Sequence, residues 1–425
     1  MKPETGNLKP GAIAVGLVVL VLAGLTACGG KSDSGRTELL VFDVGTRPGD
    51  RMVWEKTKER FKALHPDVDV LVRLHKDDDY TRLHLPQALR SNRPPDLYFQ
   101  WAGYAVHRDA GNGVARDISA DLDDAWKAQF DPRAFRGTTH EGKHHMIPIG
   151  MDASNVLWYR RSILAKHGID PPATWAAFVE ACKKLKAAGV TPIIHGNQPG
   201  WPAGNWAAHV VEMIVGIDGY ESIGDPKAAG RVRLDDPRVV RAAALFEDLA
   251  RMGAFNPDID TLDPEEGEGL FNRGAGAFHF NGGWIVENLA APDDVGLLAQ
   301  PVPPGEAADP RSVLATAAGL MVHARTPHPE LAVELLRVLT SEAIQTESVA
   351  LGRSTAVKAA MAKATKPHQR AIIDLLGASS NWVAAPDISW HPAIAEEFNR
   401  AVKAVVGGRA TAQEALRAAA QNVAR

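Results

Sequence analysis

The chain has 425 residues and a net charge of −4 at pH 7, and 45% of its residues are hydrophobic. This length exceeds the roughly 250–300 residues that one hydrophobic core supports, so we expect two domains. A net charge so close to zero argues against nucleic acid and against an anionic membrane surface as partners.

The N-terminal segment has the order of a signal peptide. Basic residues precede an uncharged stretch from Gly11 to Ala27, and small residues lead up to Cys28. The sequence Leu-Thr-Ala-Cys resembles the bacterial lipobox, in which the cysteine carries lipid and becomes the first mature residue. We predict a signal peptide over residues 1–27, then the lipidated cysteine and a flexible tether over residues 28–37. The alternative is an uncleaved anchor, but a membrane span requires ~20 apolar residues.

The next part of the chain alternates predicted strands with predicted helices. Alternation of this kind indicates a parallel sheet covered by helices. Ligands of such sheets bind beyond the carboxyl ends of the strands, which here are the loops at residues 43–47, 76–79 and 100–103. The predicted strands are 38–44, 68–74 and 96–101, and the predicted helices are 52–64 and 80–90.

Further elements follow with clear boundaries. Gly168 ends one predicted helix, and Thr174 caps the next, which contains Cys182. We predict strands at 144–148, 155–159, 190–195, 277–280 and 316–323, helices at 161–167, 175–186, 238–252 and 329–341, and a linker at 300–305.

One stretch matches a metal-site pattern. His140, Glu141 and His144 fit the H-E-x-x-H motif of zinc proteases, which needs both histidines on one face of a helix. Gly142 opposes a helix, because glycine in a helix interior costs about 1 kcal/mol, and the residues after it have the period of a strand. We interpret the stretch as a polar turn and predict neither a metal nor a cofactor.

The tryptophans point to a class of ligand. The chain has 10 Trp and 5 Tyr, and several tryptophans fall in predicted loops beside polar residues. Sugar rings have apolar faces that stack on aromatic rings, while their hydroxyls need carboxylate, amide or guanidinium partners. The alternative for each ring is packing between helices. The tryptophans in predicted loops are Trp101, Trp201, Trp206, Trp284, Trp382 and Trp390, whereas Trp54, Trp126, Trp158 and Trp175 are expected in the core.

Three stretches between residues 141 and 178 resemble the extracellular solute-binding proteins of carbohydrate ABC transporters. They read Glu-Gly-Lys-His-His-Met-Ile-Pro, Val-Leu-Trp-Tyr-Arg-Arg-Ser-Ile-Leu and His-Gly-Ile-Asp-Pro-Pro-Ala-Thr-Trp. The pair Arg160-Arg161 departs from the Asn-Lys that the family has there. Residues 92–101, 271–284 and 407–416 also look like family segments. The resemblance therefore covers the mature chain and is specific for the family, but not for one sugar.

The resemblance implies an α/β fold of the two-lobe periplasmic-binding-protein type II. Each lobe would be a mostly parallel sheet flanked by helices, with the ligand in a cleft and a hinge where the chain crosses between lobes. The crossings would fall near Gly150, near 300–305 and near 341–352. Lobe 1 would be residues 38–149 plus 305–341, and lobe 2 residues 150–300 plus 352–425.

The implied function is capture of a sugar or short oligosaccharide by a monomer, delivery to an ABC permease, and no catalysis. Two alternatives stay open: an extracellular hydrolase (a zinc peptidase or a glycosidase with paired carboxylates), or the same fold with a polyol, phosphodiester or peptide ligand. By family analogy the ligand contacts are Asp43, Thr46, Asp78, Trp101, Asp152, Trp201, Trp206, Gly283, Trp284, Arg353, Trp382 and Trp390.

Overall fold

The protein has two α/β lobes in the computed structural model, which describes residues 36–45, 47–305 and 309–424. The predicted signal peptide, Cys28 and Thr46 lie outside the described residues. Within the described ranges, no helix combines the length and the apolar character that crossing a membrane requires.

Three parallel strands bring the three predicted loops to one edge of the first sheet. β1 pairs in parallel with β2 on one side and with β3 on the other. Leu39 to Phe42 of β1 are all buried, as expected for a strand covered on both faces. The elements are β1 (Thr37–Val44), α1 (Pro48–Leu64), β2 (Val68–His75), α2 (Asp77–Asp79), a π-helical turn (Tyr80–His84), α3 (Leu85–Arg90), β3 (Leu97–Trp101), α4 (Tyr104–Gly111), α5 (Asp124–Lys127), a 3₁₀ turn (Pro132–Phe135), β4 (Thr139–His140), β5 (Lys143–His144) and β6 (Ile147–Ala153).

The H-E-x-x-H stretch forms a hairpin. His140 and His144 lie on the antiparallel strands β4 and β5, and Glu141 and Gly142 make the turn between them with φ angles of 49° and 78°. The predicted polar turn is therefore confirmed. Gly142 suits this turn, because glycine favours the left-handed conformation. Among the described residues, no group of three or more His, Cys, Asp or Glu side chains is arranged to hold a metal ion.

The second lobe has a four-stranded sheet in the order β10-β7-β9-β8. β8 and β9 are parallel, but β7 is antiparallel to both of its neighbours. The chain enters this lobe along β7 and leaves it along β10, so these two strands run in opposite directions, and the sheet is less parallel than expected. The elements are β7 (Val156–Arg160), α6 (Arg161–Lys166), α7 (Trp175–Ala187), β8 (Thr191–Ile193), α8 (Trp201–Gly224), α9 (Pro237–Arg251), α10 (Pro264–Asn272), β9 (Gly276–Asn281), 3₁₀ turns (Gly283–Asn288 and Pro292–Asp294) and β10 (Val295–Leu298).

The last part of the chain contributes to both lobes. β11 extends the first sheet, antiparallel to β3 and β6 and parallel to β12. The elements are β11 (Val313–Val322), α11 (Pro329–Leu339), α12 (Glu342–Ala350), α13 (Lys358–Met361), α14 (Pro367–Ala378), β12 (Trp382–Val383), α15 (Pro386–Ser389), α16 (Pro392–Val406) and α17 (Ala412–Val423).

Two hydrophobic cores place the third crossing later than predicted. Val349, Ile372 and Trp382 pack in the first core, whereas Val383 and all later core residues pack in the second. Residues 352–382, which we had expected in lobe 2, share a core with the first sheet, and α14 among them contacts both β11 of the first sheet and β10 of the second lobe. The chain passes from the first sheet into the second core at 382–385, whereas α12, at the predicted crossing, packs against α1.

Helix α8 of the second lobe is hydrogen-bonded to all three crossings. Its buried side chains reach the segment after β6, the segment before β11 and the segment after β12. The pairs are His209 with Asn155 (3.2 Å), Glu212 with Ser312, and Tyr220 with the carbonyl of Ala384 (2.8 Å). Burial raises the pKa of Glu212 to about 7. α8 is broken at Gly216, which has a φ of 77° and a ψ of 168°, so the first two crossings are attached to the part before the break and the third to the part after it.

Replacing Trp206 by alanine is expected to lower the free energy of unfolding by about 3–5 kcal/mol, the usual cost of truncating a core tryptophan. The Trp206 ring is 0% exposed, and its centroid lies 3.5 Å from that of Phe280 in a stacked pair. Denaturant unfolding measures the loss. Trp201→Ala, on the same helix but in neither core, is the control, and equal losses in the two variants would contradict this assignment.

Candidate functional site

The three loops at the edge of the first sheet face the second lobe. Lys76, which follows β2, has its Nζ atom 3.3 Å from a carboxylate oxygen of Asp263 and 3.3 Å from one of Glu265. Both carboxylates belong to the start of α10 in the second lobe. Gly103, which follows β3, approaches the backbone of Ile388 closely, since a Cβ at Gly103 would lie 3.0 Å from that carbonyl oxygen. A cleft therefore lies between the lobes at the predicted edge.

The loop after β1 makes a second set of contacts across the cleft. Arg47 donates a hydrogen bond to the carbonyl of Trp284 and lies 3.8 Å from the carboxylate of Glu268. The backbone N–H of Gly49 donates to Glu287 at 3.1 Å. The sequence predicted that this loop lies at the ligand site, but it predicted neither Arg47 nor Glu287 as a site residue. Arg47 lies next to the predicted Thr46, whereas Glu287 had no sequence signal.

Three of the six tryptophans predicted in loops have half-buried rings in the described structure. Trp101 and Trp201 belong to neither hydrophobic core, and Trp284 packs only partly against the first one. The ring of Trp284 lies on Gly282, where a Cβ would come within 2.1 Å of it. Glycine is therefore required under this ring. These three tryptophans are the ones that keep part of their surface exposed to solvent.

The other three tryptophans are corrections to the predicted site. Trp206 lies inside α8 and not in a loop, because the helix begins at Trp201 directly after Gly200 in a left-handed conformation. Trp390 is 2% exposed, and its ring covers Gly224. Trp382 is 8% exposed and donates from Nε1 to Ser379 at 2.7 Å. Because all three rings are packed inside the protein, we remove them from the candidate site.

Carboxylates line the first-lobe side of the cleft. Asp43 accepts a hydrogen bond from Nε1 of Trp54 at 2.7 Å, and burial raises the pKa of Asp43 to about 6. Burial also raises the pKa of Asp78. Asp387, from the second lobe, was not predicted; solvent reaches it, yet the surrounding protein raises its pKa to about 7. An aspartate that is exposed to solvent and also surrounded by protein, as Asp387 is, fits the wall of a cleft.

A small cavity of about 30 Å³ brings three predicted residues together. Asp152, Gly283 and Arg353 all line it. A Cβ at Gly283 would lie 2.0 Å from Oδ1 of Asp152, so glycine is needed for the carboxylate to fit. Arg353 forms an ion pair with Asp50. Burial raises the pKa of Asp152 to about 7.

The arrangement as a whole combines flat apolar faces with hydrogen-bonding groups. The faces belong to the half-buried tryptophans, the acceptors to Asp43 and Asp152, and the donors to Arg353. Such a site suits a ligand that has apolar faces and several hydroxyl groups.

We expect Asp152→Asn to weaken the pH dependence of stability. The pKa of Asp152 is raised from 3.8 to about 7 in the folded protein, so the folded state holds the proton more tightly than the unfolded state. Stability from this group is present at low pH and is lost as the pH rises between these two values. Urea unfolding at about pH 5 and about pH 8 measures the loss, which should be smaller in the variant than in the parent.

Asp374→Asn, at an exposed position on α14, is the matched control for that measurement. An Asp152→Asn protein that loses as much stability as the parent would contradict the raised pKa.

Known structures share this fold over nearly the whole chain. A structure from work on xylan utilization by the thermophilic bacterium Caldanaerobius polysaccharolyticus superimposes with a TM-score of 0.84 at 21% identity, covering 91% of this chain and 100% of that one. A chitin oligosaccharide binding protein superimposes with a TM-score of 0.82 at 20% identity, covering 91% and 98%. At these identities the likeness is one of fold, and it confirms the two-lobe periplasmic-binding-protein-like architecture.

Sequence relatives point to one family. An uncharacterized ABC transporter extracellular-binding protein of Pyrococcus horikoshii is 26% identical over 288 residues, which is 66% of this chain and 64% of that relative, slightly less than two thirds of its length. The melibiose/raffinose/stachyose-binding protein of Bacillus subtilis is 28% identical over 190 residues, 44% of this chain and 41% of that protein. The family model described as bacterial extracellular solute-binding protein matches residues 50–346. The chain therefore belongs to the bacterial extracellular solute-binding protein family.

Proposed function

We propose that the protein captures a sugar or short oligosaccharide between its lobes and delivers it to the permease of an ABC importer. The observations that carry the proposal are the half-buried Trp101, Trp201 and Trp284 and the carboxylates of Asp43 and Asp152, whose pKa values burial raises. Ring faces stack on the C–H faces of a sugar, and carboxylates accept hydrogen bonds from its hydroxyls. The names of the melibiose/raffinose/stachyose-binding and chitin oligosaccharide binding proteins support the same class of ligand.

Capture requires movement of the lobes but no covalent step. A ligand shifts the balance between open and closed arrangements only if it binds the closed one better. Arg47 from the first lobe donates a hydrogen bond to the carbonyl of Trp284 in the second, so closure on a ligand would bring this ring and the first-lobe carboxylates to it together. The hinge that permits this motion is the set of crossings attached to α8.

A panel of sugars tests the proposal directly. A bound ligand at 100 times its Kd adds ~2.7 kcal/mol to the free energy of unfolding, so binding should raise the melting temperature measurably. We expect at least one mono- or oligosaccharide to do so, with the oligosaccharide recovered unchanged. The absence of any shift across the panel, or hydrolysis of the added oligosaccharide, would refute the proposal.

Truncation of Trp284 separates a ligand contact from a structural residue. Trp284→Ala is expected to weaken sugar binding by about 2 kcal/mol or more, the size of a hot-spot contact. Its folding stability should fall less than that of Trp175→Ala, because Trp175 is 4% exposed in the second core and a core tryptophan contributes roughly 3–5 kcal/mol. Calorimetry and thermal unfolding give the two quantities. A well-folded Trp284→Ala protein with unchanged affinity would exclude the ring from the site.

We also propose that lipid on Cys28 anchors the mature protein to the outer face of the cytoplasmic membrane. In Cys28→Ser, membrane retention should be lost, while sugar affinity should match that of the parent because the predicted tether, residues 28–37, separates the anchor from the cleft residues. Membrane fractionation checks the first expectation and calorimetry the second. A variant that still fractionates with membranes would contradict the anchor.

A further inference from the structure

Two of the three crossings are held by buried side chains on the part of α8 before its break at Gly216. Nε2 of His209 donates a hydrogen bond to the carbonyl of Ser312 at 3.1 Å, and Nδ1 of the same ring accepts one from Asn155 at 3.2 Å. About one turn further along α8, Glu212 accepts a hydrogen bond from the hydroxyl of Ser312. Asn155 lies in the segment after β6 and Ser312 in the segment before β11, so a rotation of the lobes acts directly on these contacts.

The carboxyl group of Glu212 is buried in this network and only partly hydrogen-bonded. Glu212 is 0% exposed. Its Oε2 atom has the hydroxyl of Ser312 as a partner, whereas Oε1 has no hydrogen-bond partner among the described residues. An ionised carboxylate in such a place is poorly solvated, so the protonated form is favoured in this arrangement of the lobes. Burial accordingly raises the pKa of Glu212 from 4.5 to about 7.

The groups that face Glu212 do not offset this burial with a positive charge. Asp309, in the segment before β11, is the charged group that acts on Glu212, and it raises the pKa further. His209 donates from Nε2 and accepts at Nδ1, so its ring is neutral. Tyr220, about two turns further along α8, is kept neutral because burial raises the pKa of its hydroxyl well above the ordinary value. The protonated carboxyl group of Glu212 is therefore the form that suits this network.

We propose that Glu212 is a proton-dependent switch of the hinge: its protonated form holds the segment before β11 on α8, and its ionised form favours an arrangement in which the two separate. In the structure, side chains of the two lobes meet across the cleft, as Lys76 does with Asp263, so the arrangement with a released crossing is the more open one. Water that enters beside α8 would solvate the ionised carboxylate. The open arrangement is therefore favoured as the pH rises through about 7 and disfavoured below it.

Small-angle X-ray scattering of the unliganded protein, with calorimetry of the sugar that gives the largest melting shift in the panel, tests this inference. Between about pH 6 and about pH 8.5, the ratio of open to closed arrangements should rise by up to about tenfold, as a pKa that changes from about 7 to 4.5 on opening requires. We expect a larger radius of gyration or a weaker sugar affinity at the higher pH. Glu212→Gln keeps an acceptor for Ser312 but cannot ionise, so it should reduce the change that the parent shows to less than about half.

Asp218→Asn is the matched control, because Asp218 is exposed on the same helix, and it should keep the parent's response to pH. Ser312→Ala removes the hydroxyl that Glu212 binds and serves as a second variant. It should have a larger radius of gyration or a weaker sugar affinity than the parent at about pH 6, because the crossing is no longer held.

An equal response in the parent and Glu212→Gln, no response of the parent in either measurement, or loss of the response in Asp218→Asn would overturn this inference. So would a Ser312→Ala protein that matches the parent in both measurements at about pH 6. The inference goes beyond the proposed function, since scattering needs no ligand. Absence of binding by any sugar would refute the proposed function alone, and the scattering would then decide this inference.

Discussion

Attachment of the three crossings to α8 is the constraint on which the geometry of the cleft depends. The crossings come from distant parts of the chain, yet each one is hydrogen-bonded to the same buried helix. A rotation of the lobes must therefore pivot at these segments. Asp152 lies on β6, just before the first crossing. The cavity that Asp152 lines is therefore next to the hinge.

Burial of carboxylates gives the cleft its chemical character. Burial raises the pKa of Asp43 to about 6 and that of Asp152 to about 7, from the ordinary value of 3.8. The ionised forms are therefore poorly solvated, and a neutral ligand with hydroxyl donors would replace the missing water without adding charge. Buried carboxylates of this kind suit a polyhydroxylated ligand and disfavour an anionic one. The cation–carboxylate contacts of Arg47 and Lys76 across the cleft balance part of the negative charge.

Sequence patterns predicted the site best where local chemistry decides the structure. The strand–helix alternation placed the loops after β1, β2 and β3 correctly, because parallel strands end at one edge. Gly283 was predicted as a ligand contact; the structure has the Trp284 ring on Gly282 and the Asp152 carboxylate on Gly283. Asp152, Gly283 and Arg353 come together although about 200 residues separate the first from the last.

Long-range packing explains what the sequence did not reveal. Trp206 was expected in a loop because polar residues lie near it, but the segment is helical and its ring packs on Phe280. Gln369 carries no motif, and it meets the carbonyl of Arg353 only because α14 packs beside that residue. The third crossing was misplaced for the same reason, since only tertiary contacts show which core an amphipathic helix joins.

The distribution of the ten tryptophans also has a spectroscopic consequence. Seven are buried and three are half-buried, so most of the intrinsic fluorescence is a constant, blue-shifted background. Any emission change on ligand binding comes from the red edge of the spectrum, where Trp101, Trp201 and Trp284 contribute.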